Sequence, residues 1–186
     1  MVANTMIDEK HILHLLEDEN QLERAFALIL DKYQERLYWH IRRMVGSHED
    51  ADDVFQNTMI KAFRGIKNFQ SKSTLLTWLY RIASNESITF LNKRKKKTVL
   101  SIDNSDLALS ERLPADESVL SADAEQILEK AIASLPDKQR AVFVMRYYDE
   151  MPYQEMEKVL GTSVGGLKAS YHHAVKKVEA FVRKQF

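Results

Sequence analysis

The chain has no cysteine among its 186 residues. That excludes a disulfide framework, a Cys-ligated zinc and a thiolate nucleophile, and it fits a reducing cytosol. Glycine is scarce: the five glycines stand at Gly46, Gly65, Gly161, Gly165 and Gly166. Neither a dinucleotide-binding fingerprint nor a phosphate-cradling P-loop can be assembled from them. Long apolar runs are missing too, since stretches such as Ala25 to Leu30 fall far below the ~20 residues of a membrane span. Asp8 and Glu9 stand where a signal peptide would place its apolar region, so the chain reads as soluble and cytoplasmic, with no membrane span. Finally, there is no net charge, 27 cations balancing 27 anions.

That balance conceals an ordering along the chain. Lys93, Arg94, Lys95, Lys96 and Lys97 form a basic run. The next stretch carries Asp103, Asp106, Glu111, Asp116, Glu117, Asp123 and Glu125 against Arg112 alone. After Val164 the sign returns to basic through Lys168, Lys176, Lys177, Arg183 and Lys184. Two separate cationic patches point to a polyanionic partner.

Helical periodicity dominates, and the predicted fold is all-α. Phe26, Leu30, Tyr33, Leu37, Ile41 and Met44 line one face of a first long helix, with Asn20 and Glu23 resembling a capping box. Gly46 and Ser47 stop it. A second helix opens at the acidic residues around Glu49 and Asp50 and is expected to bury Val54, Phe55, Met59, Ala62, Phe63 and Ile66. A polar loop from Lys67 to Ser73 leads to a third, with Leu75, Leu79, Ile82 and Ala83 inward and Trp78, Arg81 and Asn85 outside. Residues 98–123 have the Ser, Asp, Asn and Pro content of a flexible acidic linker. Beyond it, Ile127, Leu128, Ala131, Ile132 and Leu135, then Val142, Phe143, Met145 and Tyr147, make the core of a second small helical domain. It ends in a helix-turn-helix from Met151 to Val182, whose turn runs through Gly161, Thr162 and Ser163. The expected division is 1–97, 98–123 and 124–186.

Candidate chemistry is sparse. His11 with His14, and Asp52 with Asp53, lack a third ligand at helical spacing and read as solvated surface pairs. No Ser-His-Asp order in a supporting motif is visible, no cofactor is called for and nothing argues for an enzyme. Trp78 and Tyr80, interleaved with Arg81, Asn85 and Asn92 and followed by five cations, suit a single nucleic-acid strand, which proteins hold by stacking bases on aromatics and neutralising phosphates. Tyr80 itself reads as core. The strip Asp53, Gln56, Asn57 and Lys61 is too polar for a core; taken alone it is the wet face of its helix.

In combination these segments resemble the extracytoplasmic-function sigma factors, minimal members of the sigma-70 superfamily of bacterial initiation subunits. The resemblance rests on Glu49 to Asn57 with Lys61-Ala62-Phe63, on Thr77 to Ala83 with Asn85, and on Leu135 to Arg140 followed by the helix-turn-helix. It implies that Asp53, Gln56, Asn57 and Met59 dock on core RNA polymerase. It implies also that Lys72, Ser73, Trp78, Arg81, Asn85, Asn92, Lys93 and Arg94 melt and hold the minus-ten promoter element. Gly165, Gly166, Lys168, Ser170 and His172 would read the minus-thirty-five element as duplex, with Lys168 the foremost contact and Tyr171 in the core. Relatives are commonly held inactive by an anti-sigma factor, so that partner is implied as well as polymerase and promoter DNA.

Two departures from the family pattern stand out. Glu157 occupies a position where relatives commonly carry a small Ala, so either helix packing is looser or its stem snorkels outward. Ala169, Ser170, His172 and His173 replace residues that are frequently Ser, Arg and aromatic, which bears on base preference. Two other readings compete: a helix-turn-helix regulator that binds an operator without replacing another sigma subunit, and a helical adaptor with incidental basic patches.

Overall fold

The computed structural model describes residues 8–103 and 124–185. Among them lie eight α-helices: α1 (Glu9–Leu15), α2 (Leu22–Val45), α3 (His48–Gly65), α4 (Leu75–Asp103), α5 (Ala124–Ala133), α6 (Asp137–Tyr147), α7 (Tyr153–Leu160) and α8 (Val164–Val182). Single 3-10 turns at Glu19–Gln21 and Ile66–Asn68 precede α2 and follow α3.

The stripe read from the sequence is the buried face of α2: Phe26, Tyr33, Leu37, Ile41 and Met44 are all inside, joined by Ile29, while Leu30 is half-buried. Gly46 ends the helix in the left-handed conformation at φ 98°, and its N–H returns to the Arg42 carbonyl at 3.0 Å. A β-carbon there would be strained, which is why glycine stops this helix. Ser47 then caps α3, its hydroxyl accepting from the Asp50 N–H at 3.1 Å.

The expected capping box does not form. Asp18 accepts from the Asn20 N–H at 2.9 Å and starts a 3-10 turn ahead of α2. Asn20 is thereby inside a turn, without the extended backbone that a capping residue needs, and α2 begins at Leu22 without a side-chain cap.

Two apolar residues expected inside are largely outside. Phe63 is 38% exposed on α3, with one edge against Phe26 at a ring separation of 5.1 Å. Tyr147, 52% exposed at the end of α6, stacks on Phe143 at 5.2 Å. Each lies at the margin of an apolar stripe, where one ring face packs and the other meets water.

The expected linker begins as helix, because α4 continues through Lys97 to Asp103; its remainder, 104–123, lies outside the described residues. Helices α1 to α4 form the first domain and α5 to α8 the second, and their buried residues join in one apolar core, to which the second domain contributes Ile132, Val144, Met145, Met156 and Leu167. Glu157 is exposed on α7, so its stem does turn outward.

The two helical domains are docked on each other. α2 packs on α6, and α4 on α7. Arg140 of α6, 5% exposed, donates to the Met44 carbonyl at 2.8 Å and to the carbonyls of Ala133 and Leu135. Met44 lies in the last turn of α2, where carbonyls have no partner within the helix. One domain thus supplies the cation that completes the other's helix end. Burial lowers the pKa of Arg140, yet a guanidinium stays charged throughout the ordinary range. Nearby, the Arg43 guanidinium lies 4.2 Å from the centre of the Tyr148 ring.

Candidate nucleic-acid interface

The first candidate face is on α3. Asp53, Gln56 and Asn57 are exposed and Met59 is half-buried. The Asn57 amide donates to the Asp53 carbonyl at 2.9 Å, which sets its orientation. Below the strip, the buried Thr58 hydroxyl donates to the Val54 carbonyl at 2.7 Å, so the inward side has no unsatisfied group. Ile60 is 43% exposed and, with Phe63, prolongs this face by the same three- and four-residue steps. The sequence reading missed both, because periodicity marks apolar residues as inward and does not distinguish the stripe's edge from its centre.

The second face runs along α4 and the loop before it. Lys72 is exposed and Ser73 half-buried. Ser71 sits at φ 52°, in the left-handed region, within a bend that leads to the helix. Thr74 caps α4 by accepting from the Thr77 N–H at 3.2 Å. Trp78 is half-buried: its ring lies 5.5 Å from that of Phe69 and closes over Gly65, where a β-carbon would come within 3.3 Å of it. Arg81, Asn85 and Asn92 are exposed on the same side of the helix as Trp78, at steps of three, four and seven. Tyr80, as expected, is core.

The basic run at the end of α4 divides. Lys93 is exposed. Arg94 donates to Asp50 at 2.9 Å and to the Val45 carbonyl at 3.3 Å, which ties it to the end of α2. Lys95 reaches Asp137 of the second domain at 2.7 Å. The whole run is exposed with Asn92, but Arg94 and Lys95 are paired to carboxylates of the chain itself.

The third face is on α8. The Ser163 hydroxyl accepts from the Gly166 N–H at 3.3 Å and caps the helix. Gly165, Gly166, Lys168 and His172 are exposed. Gly165 and Lys168 are three residues apart, Lys168 and His172 four, so these three form one row. The Lys168 ammonium lies 5.9 Å from the centre of the ring of Tyr153, the first residue of α7. Ser170 is half-buried and stands about 200° around the helix from Lys168 at ~100° per residue. Tyr171 is half-buried, stacked on Phe143 at 5.9 Å, and burial pushes its phenol pKa up.

Polar ties between the domains run beside these faces. Thr77, adjacent to Trp78, donates its hydroxyl hydrogen to Glu155 of α7 at 2.7 Å. Lys158 donates to the other oxygen of Glu155 at 2.8 Å, and these two hydrogen bonds hold the carboxyl pKa below its ordinary value. A cleft of about 480 Å³ opens at the domain boundary, walled by Trp39, Arg42 and Arg43 on one side and Glu129 and Tyr148 on the other. Among the described residues no helix is long and apolar enough to cross a membrane.

Comparison with known proteins accounts for both domains. A family model for sigma-70 region 2 matches residues 29–97, and one for sigma-70 region 4 matches residues 125–178. The chain is 33% identical over 156 residues to the ECF RNA polymerase sigma factor SigW of Bacillus subtilis, covering 80% of this chain and 83% of that protein. It is 29% identical over 165 residues to the RNA polymerase sigma-H factor of Pseudomonas aeruginosa, covering 84% and 86%. Its fold is similar to that of the sigma factor RpoE from Bartonella quintana, solved with the anti-sigma factor NepR. There the TM-score is 0.67 at 22% identity, over 85% of this chain and 96% of that one. CnrH, solved with the cytosolic domain of CnrY, also gives 0.67, at 20% identity over 95% and 97%.

Proposed function

The chain belongs to the extracytoplasmic-function sigma factors of the sigma-70 superfamily, and from that premise we propose how its two domains share the work of promoter recognition. As a member of the family it is an alternative sigma factor, which binds bacterial core RNA polymerase, directs it to specific promoters and promotes DNA melting for initiation. Residues 1–97 act as region 2, 98–123 as the linker and 124–186 as region 4, in the cytoplasm.

Asp53, Gln56, Asn57 and Met59 dock on polymerase, with Ile60 and Phe63 adding apolar area. An interface with a small exposed apolar centre and a polar surround derives most of its strength from a few such anchors. Lys72, Ser73, Trp78, Arg81, Asn85, Asn92 and Lys93 hold the separated minus-ten strand. Arg94, bound to Asp50 and the end of α2, contributes chiefly to the shape of that surface. Gly165, Gly166, Lys168 and His172 face the minus-thirty-five duplex; Ser170 supports the helix from its other side. Phosphate contacts set position, and base-edge contacts of ~1–3 kcal/mol each set preference.

The docked domains are a closed state. A compact chain of this length has a radius of gyration of about 16 Å. Promoter elements centred roughly 25 base pairs apart lie about 85 Å from one another along B-DNA, at ~3.4 Å per pair. The domains separate before both elements are engaged. Because the two solved structures of similar fold are complexes with an anti-sigma factor or with the cytosolic domain of a second protein, an anti-sigma factor is the partner proposed to hold this chain inactive.

One observation carries the reading: α3 and α4, packed together in the first domain, each keep an exposed polar face, in addition to the row on α8. An operator-binding regulator needs only the last of these. Transcription reconstituted with core polymerase is the test. Promoter-dependent initiation supports the sigma assignment, whereas operator binding without polymerase association supports the regulator.

A further inference from the structure

The first turn of α4 is fixed by a residue far away in the sequence. Helix-opening N–H groups lack partners within their own helix. Thr74 takes that of Thr77, but the Leu75 N–H donates to Glu9 of α1, 66 positions earlier, at 2.9 Å. The other Glu9 oxygen accepts from the Tyr33 hydroxyl of α2, also at 2.9 Å. Tyr33 is 5% exposed, and burial together with the Glu9 carboxylate raises its phenol pKa, so it remains a donor. α1 is anchored by Ile12, which is fully buried, and Asp8 caps its start by accepting from the Lys10 N–H at 3.1 Å. Both carboxylate oxygens of Glu9 are therefore committed, one to α2 and one to the start of α4.

Immediately before that start lies the loop with Lys72 and Ser73, which carries the left-handed Ser71 and belongs to no helix or turn after Asn68. Its exit direction depends on how Leu75 enters the helix. One turn later comes Trp78. We infer that Glu9, through its bond to the Leu75 N–H, is a positioning residue for promoter opening, which aims the Lys72–Ser73 loop and Trp78 at the minus-ten strand. The inference rests on the sigma assignment. It gives a specific role to α1, which lies before the region 2 match that begins at residue 29.

Three full-length variants, each assembled with core polymerase on one promoter, test it: Glu9→Ala, Glu9→Gln and Tyr33→Phe. Polymerase affinity, thermal midpoint and permanganate reactivity of unpaired thymines are measured for each. Glu9→Ala is expected to reduce the open fraction about fivefold, the equilibrium equivalent of one lost helix cap, while polymerase affinity stays within about twofold. Glu9→Gln keeps an acceptor for the Leu75 N–H and restores opening. Tyr33→Phe keeps the bond to Leu75, and is expected to lower the thermal midpoint with opening preserved. A purely structural role would make opening follow stability across the series, with Tyr33→Phe as defective as Glu9→Ala; that result overturns the proposal, as does normal opening by Glu9→Ala. A wild-type chain that binds polymerase yet opens no promoter overturns the sigma assignment and this proposal together, and is recognised before any variant is compared.

Discussion

His40 and Asp149 meet across the domain boundary with 2.7 Å between Nδ1 and Oδ2, the histidine fully buried and the aspartate side chain 6% exposed. The other ring nitrogen of His40 lies 3.0 Å from the Ser84 hydroxyl oxygen, so the order is Asp149, His40, Ser84. A serine hydrolase uses the same order. Here Ser84 is itself fully buried, and its hydroxyl lies 2.7 Å from the Tyr80 carbonyl, within hydrogen-bond reach. The series exists only across the docked domains, because Asp149 belongs to the second and His40 and Ser84 to the first. While they are docked, no substrate reaches Ser84. The three residues form a bolt between domains rather than a hydrolytic site.

Removing one side of the bolt should release the docked domains. Asp149→Ala leaves a buried imidazole N–H without an acceptor, at a cost of about 1–3 kcal/mol. The expected result is a larger radius of gyration by small-angle X-ray scattering with unchanged far-ultraviolet circular dichroism. Asp149→Asn, which keeps an acceptor oxygen, should expand the chain less. An unaltered scattering profile for Asp149→Ala would assign the docking to Arg140 and the packing of α4 on α7.

Acid should weaken the same contact through Glu155. Its carboxyl pKa is lowered by hydrogen bonds from Lys158 and Thr77. A lowered pKa means that this share of stability is complete above the ordinary carboxylate value of about 4.3 and is lost as pH falls through the folded-state value. Thr77→Val removes the inter-domain half of the arrangement. Thermal midpoints of wild type and Thr77→Val, measured from neutral to acid pH, should therefore differ most at neutrality and converge in acid. A gap that is constant with pH would contradict the role of the ionised carboxylate.

On α3, Asp53→Lys with Gln56→Ala should weaken polymerase binding, and so should Ile60→Asp alone, each by more than about 1 kcal/mol if the residue is an anchor. Ile60 is 43% exposed, so a charge there costs the isolated chain little. Titration of labelled polymerase, with circular dichroism as the folding control, separates the two effects. Full affinity in Ile60→Asp would confine the interface to the polar strip.

Local rules made much of this legible. The apolar period located α2, α3 and the helix-turn-helix, Gly46 with Ser47 marked the stop of α2 and the acidic residues around Glu49 the opening of α3, because these signals act within one or two helical turns. The docking had no such signature. His40 and Asp149 are 109 positions apart, and within the first domain the contact of Glu9 with Leu75, which had none either, spans 66. A single Glu or Asp has the same appearance in a sequence whether it is solvated or buried against a distant donor. Phe63 and Tyr147 misled for a related reason, since period assigns a side of the helix and the neighbouring element decides how much of that side is covered. At the candidate interface, Arg94 was grouped with its basic neighbours, although its acceptors, Asp50 and the Val45 carbonyl, are supplied by the α2–α3 corner.

The row on α8 makes a sharper prediction than its composition alone. Lys168 is exposed between Gly165 and His172, with its ammonium 5.9 Å from the Tyr153 ring centre. Lys168→Ala should cost about 1–3 kcal/mol at the cognate minus-thirty-five element and relax preference at a single base position. Ser170 faces the other way and is half-buried. Ser170→Ala should therefore leave base preference intact, any effect appearing in stability. Binding of both variants to a panel of single-base substitutions distinguishes these outcomes. An equal loss across the panel for Lys168→Ala would make it a phosphate contact, with a smaller dependence of affinity on salt. Altered base preference in Ser170→Ala would mean that α8 enters the groove by a different face from the one its exposed residues define.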